Sequence, residues 1–383
     1  MRVLLSLLKI LTINFFVLAL ALTPIEIFLR IKMPIEMFFM DASSELASAV
    51  GWGPTMKRES QNNSNVRACD FNHKSGVSDD VKVIMTIGDS MLDCNDRGAK
   101  FENTIPYLLQ QSLGKRFKVF NLAAGGWGTD QELLAFIHER DNIDPDIVIL
   151  FYTPANDLFN NISRKAINEN IAKPVFELDG ENLIKKEVHY LHKSNYLSKI
   201  LFKTEIYKRL NLSMPEIIEF FKFDVREDEP LTTLESENYA HMSGFLSPML
   251  PRYKQSWIIT KKILSEFNSE VEAIGADFLL VYLPTGARNH CETIEMFPNN
   301  CIGYGERRLI PVNCGAGETK FDMYQQYDLI FDLALSEGFK VIEAFDFFKK
   351  YESNHHELAA DCIHFHNRIG PEAIVRRILN EIN

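Results

Sequence analysis

None of the six cysteines stands in a Cys-x-x-Cys pair, so the ligand spacing of most structural zinc sites is missing. A concentrated basic face is missing too: 41 Lys and Arg stand against 52 Asp and Glu, a net charge of −11, which argues against nucleic acid as a partner. No internal repeat or low-complexity block breaks the 383 residues. The Gly-x-Ser-x-Gly elbow of the common lipases does not occur around Ser90, because Leu92 occupies the place of its second glycine.

What the chain does have is a 46% hydrophobic content, enough for a sizeable core in one large domain or two modest ones. Its N-terminus, MRVLLSLLKILTINFFVLALAL, is almost wholly apolar, with Arg2 and Lys9 at its leading side. From Val3 to Leu22 it approaches the roughly 20 residues that span a bilayer, with Lys9 reaching the interface. From Ile10 it has the length of a signal-peptide core, and Ala19 and Ala21 offer a small-x-small cleavage pattern. Either reading carries the remainder out of the cytoplasm, tethered to a membrane if the segment stays and secreted if it is cut, with the basic residues favouring an N-terminus left inside. The cysteines are compatible with an oxidising compartment, and Cys291 and Cys301 bracket a loop that a disulfide would close.

Residues 1–32 therefore read as the anchor or signal segment and 33–79 as a polar, turn-rich lead-in. From about residue 80 short apolar runs alternate with amphipathic stretches. VKVIMTI, FKVFNL, DIVILFY, ADFLLVYLP and FKVIEAF read as strands; ENTIPYLLQQSL, DQELLAFIHE, the long stretch from Lys254 to Gly275, the stretch from Phe321 to Gly338, and PEAIVRRILNEI read as helices. Strands apolar throughout, separated by helices, require a parallel sheet covered on both faces, so the fold class is α/β, doubly wound. Between about 160 and 250 the alternation fails, and charged helical or irregular segments are expected there as an insertion facing the substrate.

In an open parallel sheet ligands bind outside the carboxyl ends of the strands. Three such ends carry unusual turns: Gly88-Asp89-Ser90, the glycine-rich NLAAGGWGTDQ, and FYTPANDL. A fourth segment, ADCIHFHNRIG, supplies an acid and two histidines. Acyl-ester cleavage needs a nucleophile, a base, a group that orients the base, and donors for the oxyanion. Ser90 can attack, His364 can take its proton, and Asp361 can orient His364. The backbone N–H of Ser90, that of a glycine in the second turn and the Asn156 amide are candidate oxyanion donors. His366 competes with His364 as base. Asp157 reads as a residue that orders its turn, and His355 and His356 read as facing solvent.

These four blocks, in this order, resemble the SGNH/GDSL hydrolase superfamily over roughly residues 80 to 383. The resemblance implies a flavodoxin-like sheet and a serine esterase that needs neither metal nor organic cofactor. It also implies Gly126, with Gly125 as second choice, for the oxyanion, and favours His364 because Asp361 stands at the family offset. Two departures stand out: no glycine precedes Asn156, and Gly370 lies one residue further from His364 than the pattern has it. The expected substrate is an O-acyl, first of all O-acetyl, ester of a small molecule or cell-envelope polysaccharide. An O-acetyltransferase using the same triad, and a carbohydrate-binding protein without catalysis, are the competing expectations.

Overall fold

In the computed structural model, the described residues are 22–25, 50, 78, 80–92, 100–164, 173–186, 242–288, 301–305, 309–312, 319–351, 354–359 and 362–382. The chain forms two compact units, one of Met1–Phe38 with His189–Arg226 and the other of Phe39–Val188 with Glu227–Asn383. Of the first unit only 22–25, one turn of helix, are described. Among the described residues no helix is long and apolar enough to cross a membrane, and the expected spanning segment lies almost wholly outside them.

The second unit is built on a five-stranded parallel sheet. Its strands are β1 (Lys82–Gly88), β2 (Phe117–Ala123), β3 (Ile147–Tyr152), β4 (Asp277–Tyr282) and β5 (Lys340–Ile342), in the spatial order β2-β1-β3-β4-β5. This is the flavodoxin-like order, whose reversal of direction between β1 and β3 opens a crevice at the carboxyl edge. The register runs Lys82 with Phe117 through Gly88 with Ala123 on one side of β1, and Ile84 with Ile147 through Ile87 with Leu150 on the other. The turns after β1, β2 and β3 therefore leave the sheet side by side.

Side-chain alternation divides the strands between two cores. Val83, Met85, Ile87, Val148, Leu150 and Tyr152 face one layer, packed by α2 (Thr129–Ile143), α4 (Pro251–Ala273) and α5 (Gln325–Glu337). Ile84, Val119, Ile147, Ile149 and Phe151 face the other, packed by α1 (Ile105–Leu113) and α6 (Ile369–Ile382). Helix α1 presents Ile105, Leu108, Leu109 and Leu113 at helical spacing and buries them all. The short helix α3 (Asp157–Asn160) follows β3 directly.

Within the stretch expected to be helical or irregular, the described residues include an antiparallel hairpin, Val175–Asp179 with Asn182–Lys186. The two-residue turn is Gly180-Glu181, and glycine at its first position takes the positive φ of 62° that such a turn asks for. Three further short strands, Leu246–Ser247, Leu309–Val312 and Thr319–Asp322, form a small antiparallel sheet of their own.

Candidate active site

The turn after β1 shows what each residue of Gly-Asp-Ser does. A Cβ at position 88 would press on the Leu92 side chain and lie 3.3 Å from Phe151 Cβ, so a larger residue there would have to displace Leu92. Asp89 is buried, and its Oδ1 accepts the Met91 N–H at 2.9 Å, which closes the turn. Ser90 comes out half-exposed, with its Oγ 2.7 Å from His364 Nε2. The two residues are 274 positions apart in sequence.

His364 sits in an irregular segment between a 3-10 turn (His355–Glu357) and α6. The Cys362 N–H donates to Ala359 O at 3.0 Å and the His366 N–H to Leu358 O at 3.1 Å. Phe365 packs on Phe348, with ring centroids 5.8 Å apart. Gly370 is required here: a Cβ on it would come within 2.8 Å of the Phe365 ring. Of the two histidines weighed as base, His364 is the one brought to Ser90. His366 Nε2 lies 3.4 Å from the Asn367 amide, and its Nδ1 is buried. Asp361, the expected orienting acid, lies outside the described residues.

The second turn begins with Ala124, whose N–H reaches Gly88 O at 3.4 Å and ties it to the serine turn. Gly126 has φ 75°, a left-handed conformation that costs any L side chain about 1–2 kcal/mol. Trp127 is fully buried and anchors the turn from behind. Among the described residues no acceptor takes the N–H of Ser90 or of Gly126. Both belong to half-exposed residues on adjoining turns, as oxyanion donors must.

Asn156 joins the two turns from the third strand end. Its amide nitrogen donates to Asp89 Oδ2 and to Trp127 O, each at 2.8 Å. Both of its protons are thus engaged inside the protein, and the expected donation to an oxyanion would require Asn156 to give one up. Asp157 orders its turn as expected, accepting the Thr153 N–H at 2.7 Å.

Behind these turns lies a group of buried acids: Asp89, Asp130, Glu132 and Asp157. Burial pushes Glu132 well above the usual carboxylate range, reinforced by the charges of Asp157, Asp89 and Asp130. Burial does the same to Asp157, with the Asp89 charge adding to it. Asp89 is also raised by burial, against the opposing pull of its Met91 hydrogen bond and of His364. One cation answers Asp130, the buried Lys173 at the base of the hairpin, which forms an ion pair with it.

Sequence reasoning passed over Lys173 and also Asn160, whose amide donates to Gly126 O at 3.0 Å. The signal for Asn160 was its spacing of four from Asn156, one helical turn. His355 is a correction: expected in solvent, it is fully buried, because Gly286 after β4 closes over it and donates its N–H to His355 Nε2 at 3.0 Å. His356 is half-buried. Among the described residues no cluster of His, Cys, Asp and Glu is arranged to hold a metal ion.

No protein-family model and no curated protein sequence matches the chain. Among solved structures it is similar to an acetyl xylan esterase, at 12% identity over 79% of this chain and 100% of the other, with a TM-score of 0.38. A putative acylhydrolase from Bacteroides fragilis matches at 10% identity over 81% of this chain and 92% of the other, TM-score 0.38. A GDSL-like lipase from Bacteroides thetaiotaomicron matches at 9% identity over 79% and 87%, TM-score 0.36. At these values the likeness fixes no function, which has to come from the site itself.

Proposed function

We propose that the protein is a serine hydrolase of the SGNH type that cleaves an acyl ester. The observation that carries this reading is the 2.7 Å approach of Ser90 Oγ to His364 Nε2 beside the N–H groups of Ser90 and Gly126. Ser90 Oγ adds to the ester carbonyl carbon as its proton passes to His364 Nε2, and the two N–H groups take the developing oxyanion. Collapse of the tetrahedral species expels the alcohol, which receives the proton from His364. Water then attacks the acyl-enzyme by the same route in reverse and frees the acid. Asp361 is assigned the orienting role on His364, and Asn156 a share of the oxyanion once a proton of its amide turns from Asp89 or Trp127.

The substrate class proposed with it is a small O-acyl ester, acetyl first, carried by an envelope carbohydrate, and the catalytic unit is proposed to work outside the cytoplasm behind its apolar N-terminal segment. Cys362 is disulfide-bonded, which supports an oxidising compartment.

The test is hydrolysis of p-nitrophenyl acetate by the full-length protein, with Ser90→Ala, His364→Ala and His366→Ala alongside. Loss in the first two with survival in the third is the expected result. Equal rates in wild type and Ser90→Ala would overturn the proposal. Acetyl transfer to an added oligosaccharide, with acetate release falling, would instead make the enzyme an O-acetyltransferase.

A further inference from the structure

His355 lies outside the catalytic pair, yet its contacts tie the segment that delivers His364 to its surroundings. Its Nε2 accepts the Gly286 N–H at 3.0 Å, tying the exit of β4 to the 3-10 turn. Its carbonyl takes the N–H groups of Leu358 at 2.9 Å and Ala359 at 3.0 Å. Ala359 O in turn holds the Cys362 N–H, two residues before His364. The ring lies beside Phe348, centroids 6.3 Å apart, and Phe348 packs on Phe365, the residue after His364.

There is no slack on the other side. A Cβ on Gly286 would lie 2.7 Å from His355 Cδ2 and 2.9 Å from the Cys362 carbonyl oxygen. Cys362 itself is buried, disulfide-bonded and held at φ 70°, a conformation that a non-glycine residue keeps only when its surroundings enforce it. The wedge is also uncharged in ordinary conditions: burial holds the His355 imidazole down to about 4, outweighing the opposing influence of the Cys362 backbone.

We infer that the buried His355 ring, wedged between Gly286 and the Cys362 turn, is a positioning residue that sets His364 against Ser90. The inference rests on the hydrolase reading above. It acts through geometry alone, since the Ser90 to His364 distance has to be held to a fraction of an ångström, and a misplacement near 1 Å from a remote change can cost about a hundredfold in rate.

The experiment compares steady-state p-nitrophenyl acetate hydrolysis by full-length wild type, His355→Leu, His355→Gln, Gly286→Ala and Ser90→Ala, with thermal unfolding run on each. His355→Leu should lower kcat about 10- to 100-fold with KM within about twofold. His355→Gln, which can still accept the Gly286 N–H, should recover a large part of that loss. Gly286→Ala presses on the same turn from the opposite side and should reproduce the kcat loss, which decides the matter if His355→Leu does not fold. Wild-type kcat in His355→Leu or in a folded Gly286→Ala, beside an inert Ser90→Ala, overturns the positioning role alone. A Ser90→Ala as active as wild type removes the hydrolase reading and this inference with it.

Discussion

The Asn160 amide donates to the carbonyl oxygen of Gly126 at 3.0 Å and, four residues back along its own helix, to Asn156 Oδ1 at 2.7 Å. One side chain thereby fixes both the glycine turn and the asparagine beside it. The Gly126 N–H is aimed by a peptide whose neighbouring carbonyl is pinned from behind.

Asn160→Ala should therefore affect turnover more than a helix-surface change would. It strips a donor from the Gly126 carbonyl and from Asn156, at about 1–3 kcal/mol for leaving buried acceptors unmet. A fall in kcat of roughly tenfold with little change in KM is expected. Unaltered kcat in a folded Asn160→Ala would mean that the glycine turn holds its shape without this clamp.

Gly126→Ala tests the turn from within. The φ of 75° sets the direction of the N–H, and an alanine there either carries a strain of about 1–2 kcal/mol or relaxes away from the conformation. Relaxation turns a donor away from the oxyanion, a loss of up to about 10²-fold in kcat. A stable Gly126→Ala enzyme with full turnover would remove Gly126 from the oxyanion site.

Lys173 and Asp130 make a buried ion pair, with the lysine side chain 1% exposed and the aspartate 0%. Asp130 Oδ1 also holds the Gln131 N–H at 2.8 Å at the start of α2, just beyond the glycine turn. Lys173→Met should cost about 3–5 kcal/mol, because it leaves a buried carboxylate without its cation. Adding Asp130→Asn should return much of that loss in urea unfolding. A double variant no more stable than Lys173→Met would show that the pair is not what burdens the single change.

The five parallel strands were readable because a strand buried on both faces is apolar along most of its length, as Val83 to Ile87, broken by Thr86, and Ile147 to Tyr152 are. The hairpin at Val175–Asp179 went unread beside charged residues, although Gly180 marks its turn. Strands as short as Leu246–Ser247 show no period at all. Within the site, Ser90 was legible because a reactive residue follows a strand end and His364 because an acid and two histidines precede the last helix, and the structure brings the two together. His355 was not, since it stands between polar residues, the exposed Asn354 and the half-buried His356, and Gly286, which helps to cover it, is 69 positions away. Lys173 was equally silent: a lone lysine carries no sign of a carboxylate 43 positions earlier.

The last prediction concerns Glu132, which is buried, has no hydrogen-bond partner for either carboxylate oxygen among the described residues, and is pushed well above its ordinary range by burial and by three neighbouring acids. The folded chain keeps a proton there that the unfolded chain releases near its ordinary value of about 4.3. Between that value and the raised folded one, the native state binds more protons than the unfolded state. Stability therefore falls as pH rises through this window, by at most about 1.4 kcal/mol per pH unit for one group, and the benefit is complete only below the unfolded value. Glu132→Gln removes the ionisation while keeping the shape, so it should raise the unfolding free energy at pH 7 and flatten its decline between about pH 5 and 7. Asp157 is raised for the same reason and keeps part of the slope in that variant. Urea unfolding across this range reads both effects, and a Glu132→Gln profile parallel to wild type would mean that Glu132 ionises normally in the folded protein.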